Sequence, residues 1–359
     1  TDSEFNPSLD ISYKLTPSIN GLLTINTDFA ATEVDGRQLD LQRFSLFFPE
    51  KRAFFLTDFD IFQFGGVPIG GGFGSRSVGM RSGNNGLAFF SRTIGLTSDR
   101  KPVDLIAGGK VSGRIGDLDF GTLYIRQDAY MTGDGDMVDA SDLVVTRVST
   151  EVLEESSVGA IFTYGDPGSN VDSLLYGADF LYRNTRIGAN RSAEGRFWLQ
   201  KSDNDGVDGD DSAWSATVGF PSRMGLEGGV QIHEVQENFD PAMGFASRTG
   251  VRLYGGELGY RRNREGDVFI REVSHGLEVA SWEYLDTGDI QSQEISLDFL
   301  SLRSSAGDFG RVDFKVQKEG LLPGEQPLER IGITIPSGCL LYTSPSPRDA
   351  TLSRITSSS

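Results

Sequence analysis

Several stretches of this chain alternate apolar and polar residues with a period of two. Trp214, Ala216, Val218 and Phe220 are separated by Ser215, Thr217 and Gly219. Ile295, Leu297 and Phe299 are separated by Ser296 and Asp298, and Val312, Phe314 and Val316 by Asp313 and Lys315. Successive side chains of a strand point to opposite faces, so each segment offers one face to an apolar medium and the other to water. No run of about 18 apolar residues occurs, which excludes a transmembrane helix.

Turn signals punctuate these runs at Gly116-Asp117, Asp166-Pro167-Gly168, Gly266-Asp267, Gly288-Asp289 and Gly307-Asp308. They leave about fifteen candidate strands: 9–15, 21–29, 86–94, 103–115, 118–130, 141–151, 157–165, 171–183, 191–201, 212–220, 225–236, 250–262, 268–285, 290–303 and 309–318. Most have the roughly 9–11 residues a tilted strand needs to cross an outer membrane. Connections such as Leu153–Ser157 and Pro221–Gly225 are short, whereas Met131–Ala140, Ser202–Asp211 and Glu237–Gly250 are long and acidic. Short turns on one rim and long loops on the other predict an all-β fold, an antiparallel outer-membrane β-barrel of about 14–16 strands. A soluble sandwich or propeller shares the alternation but gives less reason for the asymmetry.

Glycine is plentiful, with 45 residues against 13 prolines, as many turns between short elements require. The net charge of −18 would repel a polyanion and argues against nucleic-acid binding. The only cysteine, Cys339, lies in CLLYTSPSPRD, Cys339–Asp349, which back-translates to a transposase adapter of short-read sequencing libraries. The following residues to Ser359 resemble translated index-and-primer DNA, so 339–359 are expected not to be native. Without them the chain has no disulfide framework and no thiolate. Thr1 is not an initiator, and the chain reads as a fragment truncated at both ends, with an open sheet edge where closing strands are missing.

About 55 residues separate the second and third strands, far more than a common connection. Eight of the 24 phenylalanines lie there, between Phe44 and Phe64, crowded around RFSLFFPEKRAFFL, Arg43–Leu56. Phenylalanine lacks the polar handle with which tyrosine and tryptophan orient a wet ligand, so these rings read as a small core before they read as a sugar platform. Glu50, Lys51 and Arg52 would form an ion-pair knot where that core meets a polar wall, worth little if exposed. A barrel of roughly sixteen strands encloses an aqueous lumen. The expected organisation is therefore a first hairpin over 1–29, a luminal or periplasmic plug or constriction over 30–85, and remaining barrel strands over 86–338.

The same motif resembles the bacterial domain of unknown function numbered fifty-nine-sixteen. Matching residues are Leu15-Thr16-Pro17, Thr27-Asp28-Phe29, Glu33, Arg43-Phe44, then Phe47, Phe48, Pro49, Glu50, Lys51, Arg52, Phe54 and Phe55. Phe90-Ser91-Arg92 with Ile94-Gly95 is similar to a second block, and Asn238, Phe239, Asp240, Pro241, Gly244, Phe245 and Arg248 to a third. Ala53 stands where the family usually has proline, and Thr93 where it usually has arginine. The resemblance implies an outer-membrane barrel, often placed after a carbohydrate-binding module of the family-nine type, and hence a saccharide-related solute.

No catalytic constellation stands out. Asp203, Asp205, Asp208, Asp210 and Asp211 crowd one glycine-containing tip and could bind Ca2+, although the closing glutamate of an EF-hand is absent. The Asp134, Asp136, Asp139 and Asp142 group is weaker. His233 and His275 lack companions for a triad or zinc site and are expected to line the lumen or a rim. The glycine run Gly65–Gly74 lacks a phosphate-loop lysine and reads as linker. The expected function is non-enzymatic: a bacterial outer-membrane barrel, partnered by lipid, that passes or captures a solute. Alternatives are a glycan hydrolase with paired carboxylates, although no spacing singles out a pair, and a structural or surface-attachment barrel.

Overall fold

The computed structural model describes residues 8–27, 47–66, 84–97, 101–187, 192–222, 224–266 and 269–320, and the backbone of 340–343. One antiparallel sheet dominates. Its strands are β1 (Leu9–Thr16), β2 (Ile19–Thr27), β3 (Leu105–Ile115), β4 (Leu118–Gln127), β7 (Ser141–Val152), β8 (Ser156–Tyr164), β9 (Ser173–Asn184), β10 (Ala193–Asn204), β11 (Ser212–Phe220), β12 (Gly225–Val235), β13 (Val251–Asn263), β14 (Ile270–Tyr284), β15 (Ile290–Ser304), β16 (Phe309–Gly320) and the short β17 (Leu340–Thr343). Each pairs with the next in chain order. A two-residue hairpin, β5 (Tyr130–Met131) and β6 (Met137–Val138), decorates the connection from β4 to β7.

Alternation along the strands separates two faces. In β7, Leu143, Val145 and Arg147 are buried while Val144, Thr146 and Val148 are not. In β11, Ala213, Ser215 and Thr217 are buried while Val218 and Phe220 are exposed. The buried face carries the segments 47–66 and 84–97. Phe62 lies against Gly121 of β4, and Phe64, two residues on, lies against Gly177 of β9 and Trp198 of β10. A flat sheet would set β4 and β10 about 19 Å apart at about 4.8 Å per strand. The sheet therefore curls around the insert.

The opposite face is apolar and exposed. Val218 and Val230, cross-strand neighbours on β11 and β12, are each 64% exposed. Leu258, Leu277, Leu297 and Phe314 form one exposed row across β13 to β16. Leu9, Ile11, Tyr13 and Leu15 continue the surface at the β1 edge.

Hydrogen-bonded rows climb steadily through the sheet. One row runs Leu118, Thr150, Val158, Phe180, Phe197, Ala216, Ile232, Tyr254, Ser281, Gln293, Lys318. Leu118 opens β4 beside the Gly116–Asp117 turn, whereas Lys318 lies nine residues beyond the start of β16 at that same rim. About nine residues of stagger over ten inter-strand steps corresponds to a strand tilt of roughly 30°.

The sheet is not closed into a barrel and has the open edge expected above: β1 pairs only with β2, and the far edge pairs only as far as β17, over the last residues of β16. One expectation needs correction. Residues 86–94 form no strand, because their backbone bonds to 243–245 and turns into a 3-10 helix at Ser91–Thr93. The insert lies between β2 and β3, at the rim that also carries the long connections 128–140 and 236–250, opposite the rim of short turns such as 116–117 and 153–155. Residues 28–46, 67–83 and 321–339, and the tail beyond 343, lie outside the described residues, and with them Glu33, Arg43, Phe44 and most of the glycine run.

Candidate functional site

The three motif blocks are far apart in sequence and meet on the buried face. Glu50 is their hub. Its carboxylate accepts hydrogen bonds from the Lys51 and Arg52 amides, from Arg52 Nε and Nη2, and from the Ser91 hydroxyl, at 2.6–2.9 Å. Arg52 then donates to the carbonyls of Ile94 and Ser91, both at 2.6 Å, and lies over the Phe55 ring. The two amide bonds to Glu50 stand at the start of the short helical turn Ala53–Leu56, where backbone donors lack intrahelical partners. Burial raises the Glu50 pKa, but the Arg52 hydrogen bond and charge and the Ser91 hydroxyl outweigh it and hold the carboxyl below its ordinary value. The sequence placed this knot at a polar boundary. Instead the Arg52 and Glu50 side chains are 5% and 2% exposed, and only Lys51 points to solvent.

One phenylalanine from each block completes the junction. Phe47 stacks on Phe90 at 4.6 Å, and Phe245 meets both rings edge-on at 5.6 and 5.7 Å. Leu87 and Phe245 exchange backbone hydrogen bonds, and Phe90 donates to the Met243 carbonyl. Gly244 allows this approach, since a Cβ there would sit 2.1 Å from the Leu87 oxygen. Asn85 accepts from the amides of Ser247 and Arg248 and donates to the Arg248 carbonyl. Phe239, Pro241 and Met243 are buried beneath the loop, so 236–250 folds inward and holds 84–90 from the far side.

The sheet grips the insert from the other side. Lys110 on β3 donates to the carbonyls of Phe54 and Thr57, and Asn20 on β2 to Asp58. Arg147 on β7 pairs with Asp179 on β9 at 2.7 Å and lies over Phe64. The same two side chains bond to the Gln63 carbonyl and the Gly65 amide. Gln200 on β10 donates to the Gly86 carbonyl. Of the remaining motif residues, Phe48 is half-buried and Pro49 exposed, while Arg248 lies over Trp282 and donates to Gln291 and Ser292.

The other singled-out residues are dispersed. Asp203, Asp205, Asp208 and Asp210 are exposed, and Asp211 pairs with Lys201 at 3.3 Å. Asp142 is bound by Arg126 and Tyr124, and Asp134 and Asp136 are exposed. Among the described residues no three His, Cys, Asp or Glu side chains come together as a metal group. His233 is fully buried between the edges of Trp198 and Trp282. His275 lines a polar cavity on β13–β16. In the clamping loop, Asp240 has its pKa raised by burial and by the charge of Asp166. The convergence of the three blocks was not visible in sequence. One signal was present: the chain has three Phe-Phe doublets, at 47–48, 54–55 and 89–90, and all fall between β2 and β3.

Chemically, the junction is a structural clamp. Among the described residues its buried ionised groups, Glu50 and Arg52, are bonded to one another, to the Ser91 hydroxyl and to backbone. Residues 1–123 match the family described as domain of unknown function (DUF5916). No curated protein and no solved structure matches the chain.

Proposed function

We propose that the sheet is the wall of a bacterial outer-membrane β-barrel, with lipid against its apolar face and the insert held inside as a plug, and that the protein passes or captures a solute without chemistry of its own. The observation that supports this reading most is the exposed apolar face, which spans the sheet from β1 to β16. Soluble monomers rarely expose contiguous apolar patches beyond a few hundred Å2. The band also keeps level with the rims while the hydrogen-bonded rows climb, as a tilted wall crossing a flat bilayer would.

Aromatic pairs mark its height. Tyr176 and Tyr182 on β9, Trp214 and Phe220 on β11, and Tyr254 and Tyr260 on β13 each lie six residues apart on the outward face. That spacing is about 20 Å along a strand, the arrangement of two interfacial girdles. Outward ionised groups such as Arg126–Asp142 and Arg252–Glu234 stand at the long-loop end. Long loops face the cell exterior in such barrels, which makes the insert an in-folded outer loop. Fourteen strands in a meander leave β1 and β16 antiparallel, the relation that closure needs. A saccharide as solute rests on the family resemblance alone.

The test is insertion. Val218→Arg, at mid-height on the outward face, is expected to cost about 2–4 kcal/mol of folding in bilayers, read as loss of the heat-modifiable folded band. Ser296→Arg, half-buried on the inward face beside the polar cavity, serves as the comparison. A protein that folds without detergent or lipid, indifferent to Val218→Arg, would refute the proposal.

A further inference from the structure

Asn85 ties the segment 84–90 both to the loop 236–250 and to the wall, and its amide has one workable orientation. The side-chain oxygen accepts from the Ser247 and Arg248 amides at 2.8 and 3.0 Å. The nitrogen donates to the Arg248 carbonyl at 3.1 Å and lies 3.4 Å from Nε2 of His233 on β12. An amide nitrogen donates and does not accept, so Nε2 has to be the bare nitrogen of the ring and Nδ1 the one that carries the proton. Nδ1 is itself buried and has no hydrogen-bond partner.

This arrangement has no place for a second proton. His233 is fully buried. Asn85 and Gly86 cover it from the insert, and a Cβ on Gly86 would stand 3.4 Å from the ring. Trp198 on β10 and Trp282 on β14 flank it, and its cross-strand neighbours are Ser215 on β11 and Leu253 on β13. None of these is charged. The charged group that follows, the Arg248 guanidinium over the Trp282 ring, is positive. A proton on Nε2 would set one N–H against the other at Asn85 and leave a buried imidazolium without a counter-ion. Desolvating an ion costs more than contact with one aromatic ring returns, and Trp282 already has Arg248 over it.

Opening reverses the balance. With 84–90 lifted off, the ring meets water and takes its second proton in the ordinary range of an imidazole, about pH 6.5. We infer that His233 and Asn85 form an acid-sensitive latch: protonation of His233 releases 84–90 from β12 and from the loop 236–250, and so loosens the plug. This inference rests on the barrel reading and specifies what regulates passage. Its sign follows from proton uptake on opening. The latch is at full strength above about pH 6.5, and below it the open form gains about tenfold in relative population per pH unit, or about hundredfold by pH 4.5. That window lies above the one in which Glu50 is protonated.

The experiment is hydrogen exchange of the full chain between pH 7 and 4.5, expressed as protection factors so that the intrinsic pH dependence of exchange drops out. The reporters are the amides of Gly86 and Leu87, bonded to the Phe245 carbonyl, and of Phe90, bonded to that of Met243. Their protection should fall about hundredfold over this range, while Leu123 and Val145, in the paired strands β4 and β7, keep theirs. His233→Gln offers Asn85 an acceptor that does not titrate, and His233→Phe keeps a ring between the two tryptophans. Either variant should hold reporter protection within about threefold across the range. Parent protection that does not change with pH, or a loss that persists in the variants, would overturn the inference. In planar bilayers the parent's current should rise over the same window and the variants' should not. Exchange that responds while current does not would keep the latch and remove the plug reading, and a chain that does not insert would remove the barrel reading alone.

Discussion

Replacing Glu50 by alanine is the sharpest test of how the insert is held. The carboxylate is 2% exposed and accepts five hydrogen bonds, from Arg52, Lys51 and Ser91. Its removal leaves the Arg52 guanidinium, 5% exposed, facing the space the carboxylate filled, with the Ile94 and Ser91 carbonyls still accepting from it. Truncating one member of a buried ion pair typically costs about 3–5 kcal/mol, because the remaining charge is stranded. The cost falls on the junction between 47–66 and 84–97, so local opening reports it better than global unfolding. Hydrogen exchange of amides in 53–62 and 91–97 should accelerate by about two to three orders of magnitude, at about 1.4 kcal/mol per decade. Acid gives a second readout. The folded pKa of Glu50 lies below its ordinary 4.5, so the pair's contribution is complete above about pH 4.5 and is lost as pH falls through the lower folded value. Parent protection should fade in that window, while Glu50→Ala should show no such step. Exchange in Glu50→Ala within about threefold of the parent would refute the clamp, since that is under about 1 kcal/mol.

Gly177→Ala should destabilise the insert–sheet contact by about 1–3 kcal/mol, seen as a lower thermal midpoint. The new Cβ would stand 2.8 Å from the Phe64 ring and 2.9 Å from the Leu199 carbonyl. Gly244→Ala should release the loop 236–250 and expose it to limited proteolysis, because it cannot share space with the Leu87 oxygen. Arg248→Ala should cost about 1–3 kcal/mol through the lost hydrogen bonds to Gln291 and Ser292 and the stacking on Trp282, measurable by denaturant titration. Calorimetry with calcium at the 203–211 tip should give no binding heat, since its exposed acids do not converge.

The strands were legible because their cause is local. A period-two pattern bounded by glycine turns needs no knowledge of distant partners, and β11 at Ser212–Phe220 and β16 at Phe309–Gly320 lie where alternation puts them. Residues 86–94 misled for the same reason. GLAFFSRTI is apolar and rich in strand formers, but its hydrogen-bonding partner is the Met243–Phe245 backbone of a loop, not a neighbouring strand. The burial of Glu50 was hidden as well: a Pro-Glu-Lys-Arg run reads as solvated until Ser91 and Ile94, some forty residues on, are known to cover it. The rim at which the insert enters became readable only once β2 and β3 were paired in register.

Gly244 closes over Leu87, and this carries a consequence for biosynthesis. The segment 84–90 is trapped between β10 and β12 on one side and a loop translated some 150 residues later on the other. In the proposed barrel the stopper would have to be in position while the surrounding staves are still being added, so any assembly machinery would accept the chain already loaded, as a cooper accepts a cask built around its contents.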